Sequence, residues 1–117
     1  MTENRLIVFS GATLHALRDR IGHENAVHLG AQLPMLIRGL YYEGWKMAAT
    51  PIRERHKEAF LEHVRNEAWD ALNVDTEVAV HAVFEVMGGN IDPREVTKVI
   101  SLFPADLRDL WPRPVRP

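Results

Sequence analysis

The chain has 117 residues, a length that fits one domain built on one core. A hydrophobic share of 46% and a charged share of 26% exclude a wholly disordered chain. Its net charge of -2 provides no global positive field for sequence-independent nucleic-acid binding, and the lack of cysteine removes disulfides, thiolate metal sites and cysteine nucleophiles together.

The opening segment "MTENRLIVFSG" holds an apolar stretch from Leu6 to Phe9 that is too short for the core of a signal peptide. No apolar run approaches the ~20 residues needed to span a bilayer, so the expected location is the cytoplasm, without a membrane partner. Ser10 is placed to cap a first helix, "ATLHALRDRI", in which Leu14, Leu17 and Ile21 share one stripe. "ENAVHLGAQL" reads as a second short helix carrying Ala26, Val27, Leu29 and Leu33. Pro34 starts a third, "PMLIRGLYY", which Gly44 ends.

Thr50-Pro51 couples a hydroxyl cap to a proline in the first turn, and the helix it opens, about 51–72, is expected to be the longest. Ile52, His56, Ala59, Phe60, His63, Val64, Ala68 and Leu72 fall on its inner face. Arg53, Arg55, Lys57 and Arg65 alternate with Glu54, Glu58, Glu62 and Glu67 on a solvated mixed-charge face, which is not a phosphate track. Asp75 caps "TEVAVHAVFEVM", and Gly88-Gly89 are read as its stop. Val78, Val80, Val83, Phe84 and Val86 cover more than one face, which places this helix centrally. The same stretch could form a strand, but cap and glycine signals bound a helix-length segment. Asp92-Pro93-Arg94-Glu95 has capping-box spacing and opens "REVTKVISLF". Pro104 then starts "PADLRDLW". The tail 112–117 should be extended, with Pro114-x-x-Pro117 reading as a frayed end.

Sliding the chain by 70 residues, from Pro34 to Pro104, aligns two stretches without a gap. Ala12, Ile21, Arg38 and Leu40 meet identical residues at Ala82, Ile91, Arg108 and Leu110, and Tyr41 meets Trp111. Each unit, about 12–41 and about 82–111, reads helix, turn, helix, proline, short helix. Low identity leaves chance periodicity as the alternative to duplication, and the matched proline-x-x-x-arginine-x-leucine-aromatic copies favour duplication. Each proline is expected to break one helix and start the next at a sharp angle, with Leu33 and Ile37, or Phe103 and Leu107, filling the corner.

"HALRDRI", "AQLPMLIRGLYYEGW", "HKEAFLEHV" and "LFPADLRDLW" resemble the bacterial and archaeal family catalogued as domain of unknown function 2267, from about Ala12 to Trp111. The resemblance implies a small all-helical fold and carries no activity, cofactor or catalytic residue. Members of that family usually have another helix upstream. Its absence here would leave apolar surface near Leu6 to Phe9 or Leu14 to Leu17, which a second copy of the chain would cover.

Candidate chemistry is sparse. His56 and His63 stand seven residues apart, ~10 Å along one helix face, and cannot chelate one ion without a third element. The sequence has no H-E-x-x-H and no glutamate three residues before a histidine. Ser10 and Ser101, the two serines, lack a nucleophile-elbow context. His56, Tyr41 and Arg38 form only a low-grade enzymatic constellation. Arg38 and Arg108 could bind anions in two-pronged fashion, or could pin each corner by donating to the carbonyls that end the preceding helix. Tyr41, Tyr42 and Trp45 could form a stacking platform beside Arg38, but one helical turn cannot point all three the same way.

The expected architecture is all-α: a compact irregular bundle of about six to seven short helices, with two pseudo-repeated units joined by a longer central helix in one domain, 1–111. The expected function is that of a non-catalytic protein-interaction or self-association module, a homodimer through apolar surface near the N-terminus, with no cofactor or metal. The alternative is a nucleic-acid or small-anion binding module that uses Arg38, Arg108 and nearby aromatics. Tyr42 and Trp45, which the second copy lacks, are the place to look for a ligand.

Overall fold

The apolar stripe of the first helix begins earlier than Ser10 suggests. In the computed structural model, which describes residues 3–53, 56–68, 75–103 and 105–112 and only the backbone of 3–7, helix α1 spans Glu3–Arg18. Ser10 is therefore interior to α1 and is not its cap. Phe9 extends the stripe of Ala12, Ala16 and Leu17 by one turn, and all four are buried. The expected apolar surface at Leu14 and Leu17 is buried as well, whereas the side chains of Leu6 and Ile7 lie outside the described residues.

Helix α2 (His23–Gly30) buries Ala26 and Leu29 but leaves Val27 46% exposed. Pro34 is the N-cap of α3 (Met35–Tyr42), one position before the first helical residue. Gly44 follows that helix at φ 70, the left-handed conformation that suits glycine just past a helix end.

The bridging helix is shorter than its capping signal implies. Thr50 closes a 3-10 turn, Met47–Ala49, instead: its N–H and its hydroxyl both donate to the Met47 carbonyl. Pro51 follows in a cis bond, and the Ile52 N–H donates to the Asp19 carbonyl at 2.6 Å. Helix α4 runs Lys57–Glu67 and takes its cap from a distant residue, with the Lys57 N–H donating to the Asp106 carboxylate at 2.8 Å. Phe60, Leu61, Val64 and Ala68 are buried on its inner side, while His56 is exposed at its start; Leu72 lies outside the described residues. At 11 residues α4 is shorter than α1 and α5.

Asp75 caps α5 (Thr76–Asn90) by accepting from the Val78 N–H at 3.2 Å. The helix does not stop at Gly88-Gly89. Glycine inside a helix costs only about 1 kcal/mol, and the break comes at Ile91, whose extended backbone leads into Asp92-Pro93. Nor is α5 buried all round: Val80, Phe84 and Met87 face the core, whereas Val78 and Val86 are 64% and 65% exposed. Asp92 caps α6 (Pro93–Ser101) through the Arg94 N–H, not through that of Glu95 as capping-box geometry would require. The final described helix is α7 (Ala105–Arg108); Pro104 and residues 113–117 lie outside the described set.

The result is an all-α bundle of seven short helices among the described residues, with two helix-turn-helix-like units, α1–α3 and α5–α7, joined by α4. Helix α1 packs against α3, α4 and α5 and is buried from Gly11 to Asp19. In the second unit Phe84 stacks on Trp111 with ring centres 4.1 Å apart, and Phe60 of α4 meets Phe84 and Phe103 at 6.2 and 6.0 Å. No helix among the described residues is long and apolar enough to cross a membrane.

Candidate functional site

Arg38 and Arg108 occupy equivalent places in the two corners. Arg38 donates from Nε to the Gly30 carbonyl (2.9 Å) and from Nη2 to those of Ala31 (3.3 Å) and Leu33 (2.8 Å). Arg108 donates from Nε to Phe103 (2.9 Å) and from Nη2 to Ser101 (3.3 Å). Ala31 and Ser101, and Leu33 and Phe103, are the same pairs that the 70-residue offset aligns. The backbone turns agree too: Leu33 N–H to Gly30 at 3.1 Å and Phe103 N–H to Ile100 at 3.0 Å.

Tyr42 and Trp45 do come together, stacked at 5.7 Å, but they turn inward against the corner. The Trp45 Nε1–H donates to the Thr50 hydroxyl at 3.2 Å, and His23 meets its ring edge-on at 5.9 Å. The Arg18 guanidinium lies 6.0 Å from the Trp45 ring centre. The Tyr42 ring rests on Gly30, where an added Cβ would lie 2.3 Å from its hydroxyl. Tyr41 points elsewhere: it is fully buried, its hydroxyl donates to the Ala26 carbonyl at 2.7 Å, and burial pushes its pKa up. Tyr41, Arg38 and His56 thus present no common reactive face; the first two spend their donors on carbonyls, and His56 stands at the exposed start of α4.

A polar cluster between α1, α3 and α4 had no signal in the sequence motifs. His15 sits with Nδ1 2.7 Å from a Glu67 carboxylate oxygen and Nε2 2.7 Å from the Leu40 carbonyl. His63 pairs with the other Glu67 oxygen at 3.4 Å, and its Nδ1 accepts from Arg20 at 2.9 Å. Arg18 donates to Asp19 and to the carbonyls of Tyr41 and Glu43. Burial works to raise the Glu67 pKa, but hydrogen bonds from His15 and His63 outweigh it and hold the carboxyl at about 2. Glu67 therefore belongs to a helix-joining ion pair and not to a purely solvated face. Among the described residues no group of three or more histidine, aspartate or glutamate side chains is placed to hold a metal ion.

Among the described residues an apolar groove of about 480 Å³ lies between α1, the start of α3, and α5. Phe9, Ser10 and Leu14 form one wall, Leu33, Pro34 and Ile37 the end, and α5 from Val78 to Asn90, with Ile91 just past it, the other wall; none of its lining residues is charged. Met35 and Leu36 project beside it, each 86% exposed. Periodicity could have pointed to this site, because "VAVHAVFEVM" has more apolar residues than one buried stripe needs. A smaller hollow of about 290 Å³ holds Asp75, Glu77, His81 and Asp109. The groups with displaced titration, His15, Tyr41, Lys57, Glu67 and Asp92, line neither hollow.

Among curated proteins none matches the chain. Residues 8–110, which take in both corners, the polar cluster and the whole lining of the groove, match the family described as an uncharacterized conserved protein, domain of unknown function 2267 (DUF2267), and the chain belongs to that family.

Proposed function

We propose that the chain is a non-catalytic helical module that self-associates, two copies meeting across the face formed by α1, α3 and α5. The observation that carries this reading is the pairing of an uncharged apolar groove with the projecting Met35 and Leu36 beside it. A two-fold interface must be complementary to itself, which a hollow and a projection on one face allow. An exposed apolar area of this kind costs free energy unless something covers it.

Sedimentation across a wide concentration range tests the reading. The wild-type chain is expected to dimerise, and Leu36→Glu, at a site already solvated in the monomer, is expected to leave it monomeric with an unchanged melting temperature. A wild-type chain that stays monomeric at high concentration overturns it. Anion or nucleic-acid binding through Arg38 and Arg108 has less support, since both guanidinium groups already donate to corner carbonyls. Salt-sensitive retention of the protein on an immobilised oligonucleotide would favour that rival. The two arginine corners, in which both guanidinium groups reach the equivalent carbonyls Ala31 and Ser101, and Leu33 and Phe103, also support reading the halves as a duplication in which each arginine pins its own bend.

A further inference from the structure

We infer that His15 is a proton-operated latch: as an imidazolium it ties the last turn of α3 to α1 and α4, and loss of its proton releases one of those ties. The geometry forces the charge. A carboxylate oxygen and a backbone carbonyl both accept only, and each lies 2.7 Å from a different ring nitrogen. A neutral imidazole has a single N–H, so one of the two contacts would set a lone pair against a lone pair. Glu67 is the last residue of α4, and Leu40 lies in the last turn of α3, so one side chain closes three helices.

The neighbouring histidine cannot stand in for it. An arginine has no lone pair to offer, so His63 Nδ1 must be the acceptor from Arg20, which leaves His63 one N–H to direct at Glu67. The charged and titratable groups around His15 are Glu67 and His63 from α4, Arg18 on its own helix, and Asp19 and Arg20 just beyond it; from α3 it meets the Leu40 carbonyl. Burial opposes the imidazolium and Arg18 repels it, but Glu67 and the Leu40 carbonyl outweigh both and raise its pKa. The latch is therefore closed below the ordinary histidine value of about 6.5 and opens as pH rises through that raised value. At its other end α3 supplies Ile37, and Pro34 as its cap, to the groove, so the latch acts on a helix that also shapes the apolar face. The inference stands whether or not two copies associate.

The test is a nitrogen-15 titration of the His15 ring in the full-length wild-type protein, run beside amide hydrogen exchange. Both ring nitrogens are expected to be protonated below the ordinary histidine value of about 6.5, and one proton to be lost at a midpoint above it. Protection of α3 amides should fall at that same midpoint, beyond the acceleration hydroxide alone produces, while α6 amides keep theirs. His15→Gln should show weak α3 protection at every pH. A His15 that titrates at or below the ordinary value overturns the latch, as does α3 protection that ignores its midpoint. If His15→Gln does not fold, the wild-type titration decides alone.

Discussion

Gly30 carries the aromatic packing of the first corner. It is the last residue of α2, it leaves the space that the Tyr42 ring occupies, and its carbonyl receives Arg38. A methyl group there would lie 2.7 Å from the ring carbon bearing the hydroxyl. Tyr42 cannot swing aside freely, because Tyr41 and Trp45 flank its ring at 5.0 and 5.7 Å. Gly30→Ala is therefore expected to destabilise the fold by about 1–3 kcal/mol despite the better helix propensity of alanine, read as a lower denaturant midpoint at unchanged slope. Nothing in the sequence distinguishes this glycine from Gly39, beside which an added Cβ meets nothing within 4 Å. The difference is tertiary contact, and local pattern does not contain it.

At the scale of elements, the two arginine corners should behave alike. Removing either side chain deprives carbonyls near a helix end of charged donors, a loss of about 1 kcal/mol or somewhat more. Arg38→Ala and Arg108→Ala should each lower the melting temperature. Lysine should not restore it, because an ammonium cannot reach several carbonyls at once with a planar fork. Calorimetry of the four variants checks this, and an unchanged transition in either alanine variant would remove the corner role there. Helix identities were largely legible: Asp75 and Asp92-Pro93 announce their helices because a cap acts through bonds made within one turn. The boundaries that sequence reading missed were decided at long range. Thr50 resembles a helix cap, but its hydroxyl is held by Trp45 and Met47, and α4 is capped by Asp106 from another element. The His15–Glu67 pair was invisible for the same reason, since it joins residues brought together by folding, whereas the surplus apolar residues of α5 hinted at one wall of the groove.

Across the whole molecule, the two halves are held by different physics. The first unit adds polar clamps around His15 and Arg18 to the aromatic packing of its corner, whereas the centre of the second is the Phe84–Trp111 stack. Acidity and alkalinity should therefore loosen the protein from one side. Glu67, lowered from 4.5 to about 2, contributes stability that is fully present above pH 4.5 and is lost as pH falls toward 2. His15, raised from 6.5, contributes stability that is fully present below pH 6.5 and is lost as pH climbs through its folded pKa. Thermal unfolding is expected to peak between those limits, and His15→Gln should flatten the alkaline limb while sparing most of the wild-type stability in strong base. A wild-type alkaline limb that survives in the variant would count against this assignment.

The aromatic half carries a consequence for synthesis. Trp111 is 1% exposed and lies flat on Phe84, 27 residues earlier, at the far end of the described chain. A nascent chain that has not yet released this residue from the ribosome lacks the ring that fills the second unit's centre. The first unit has all its partners except α4 and α5 well before then. Folding during translation should accordingly be staged, with the α1–α3 corner able to form early and the second unit waiting for Trp111 to emerge.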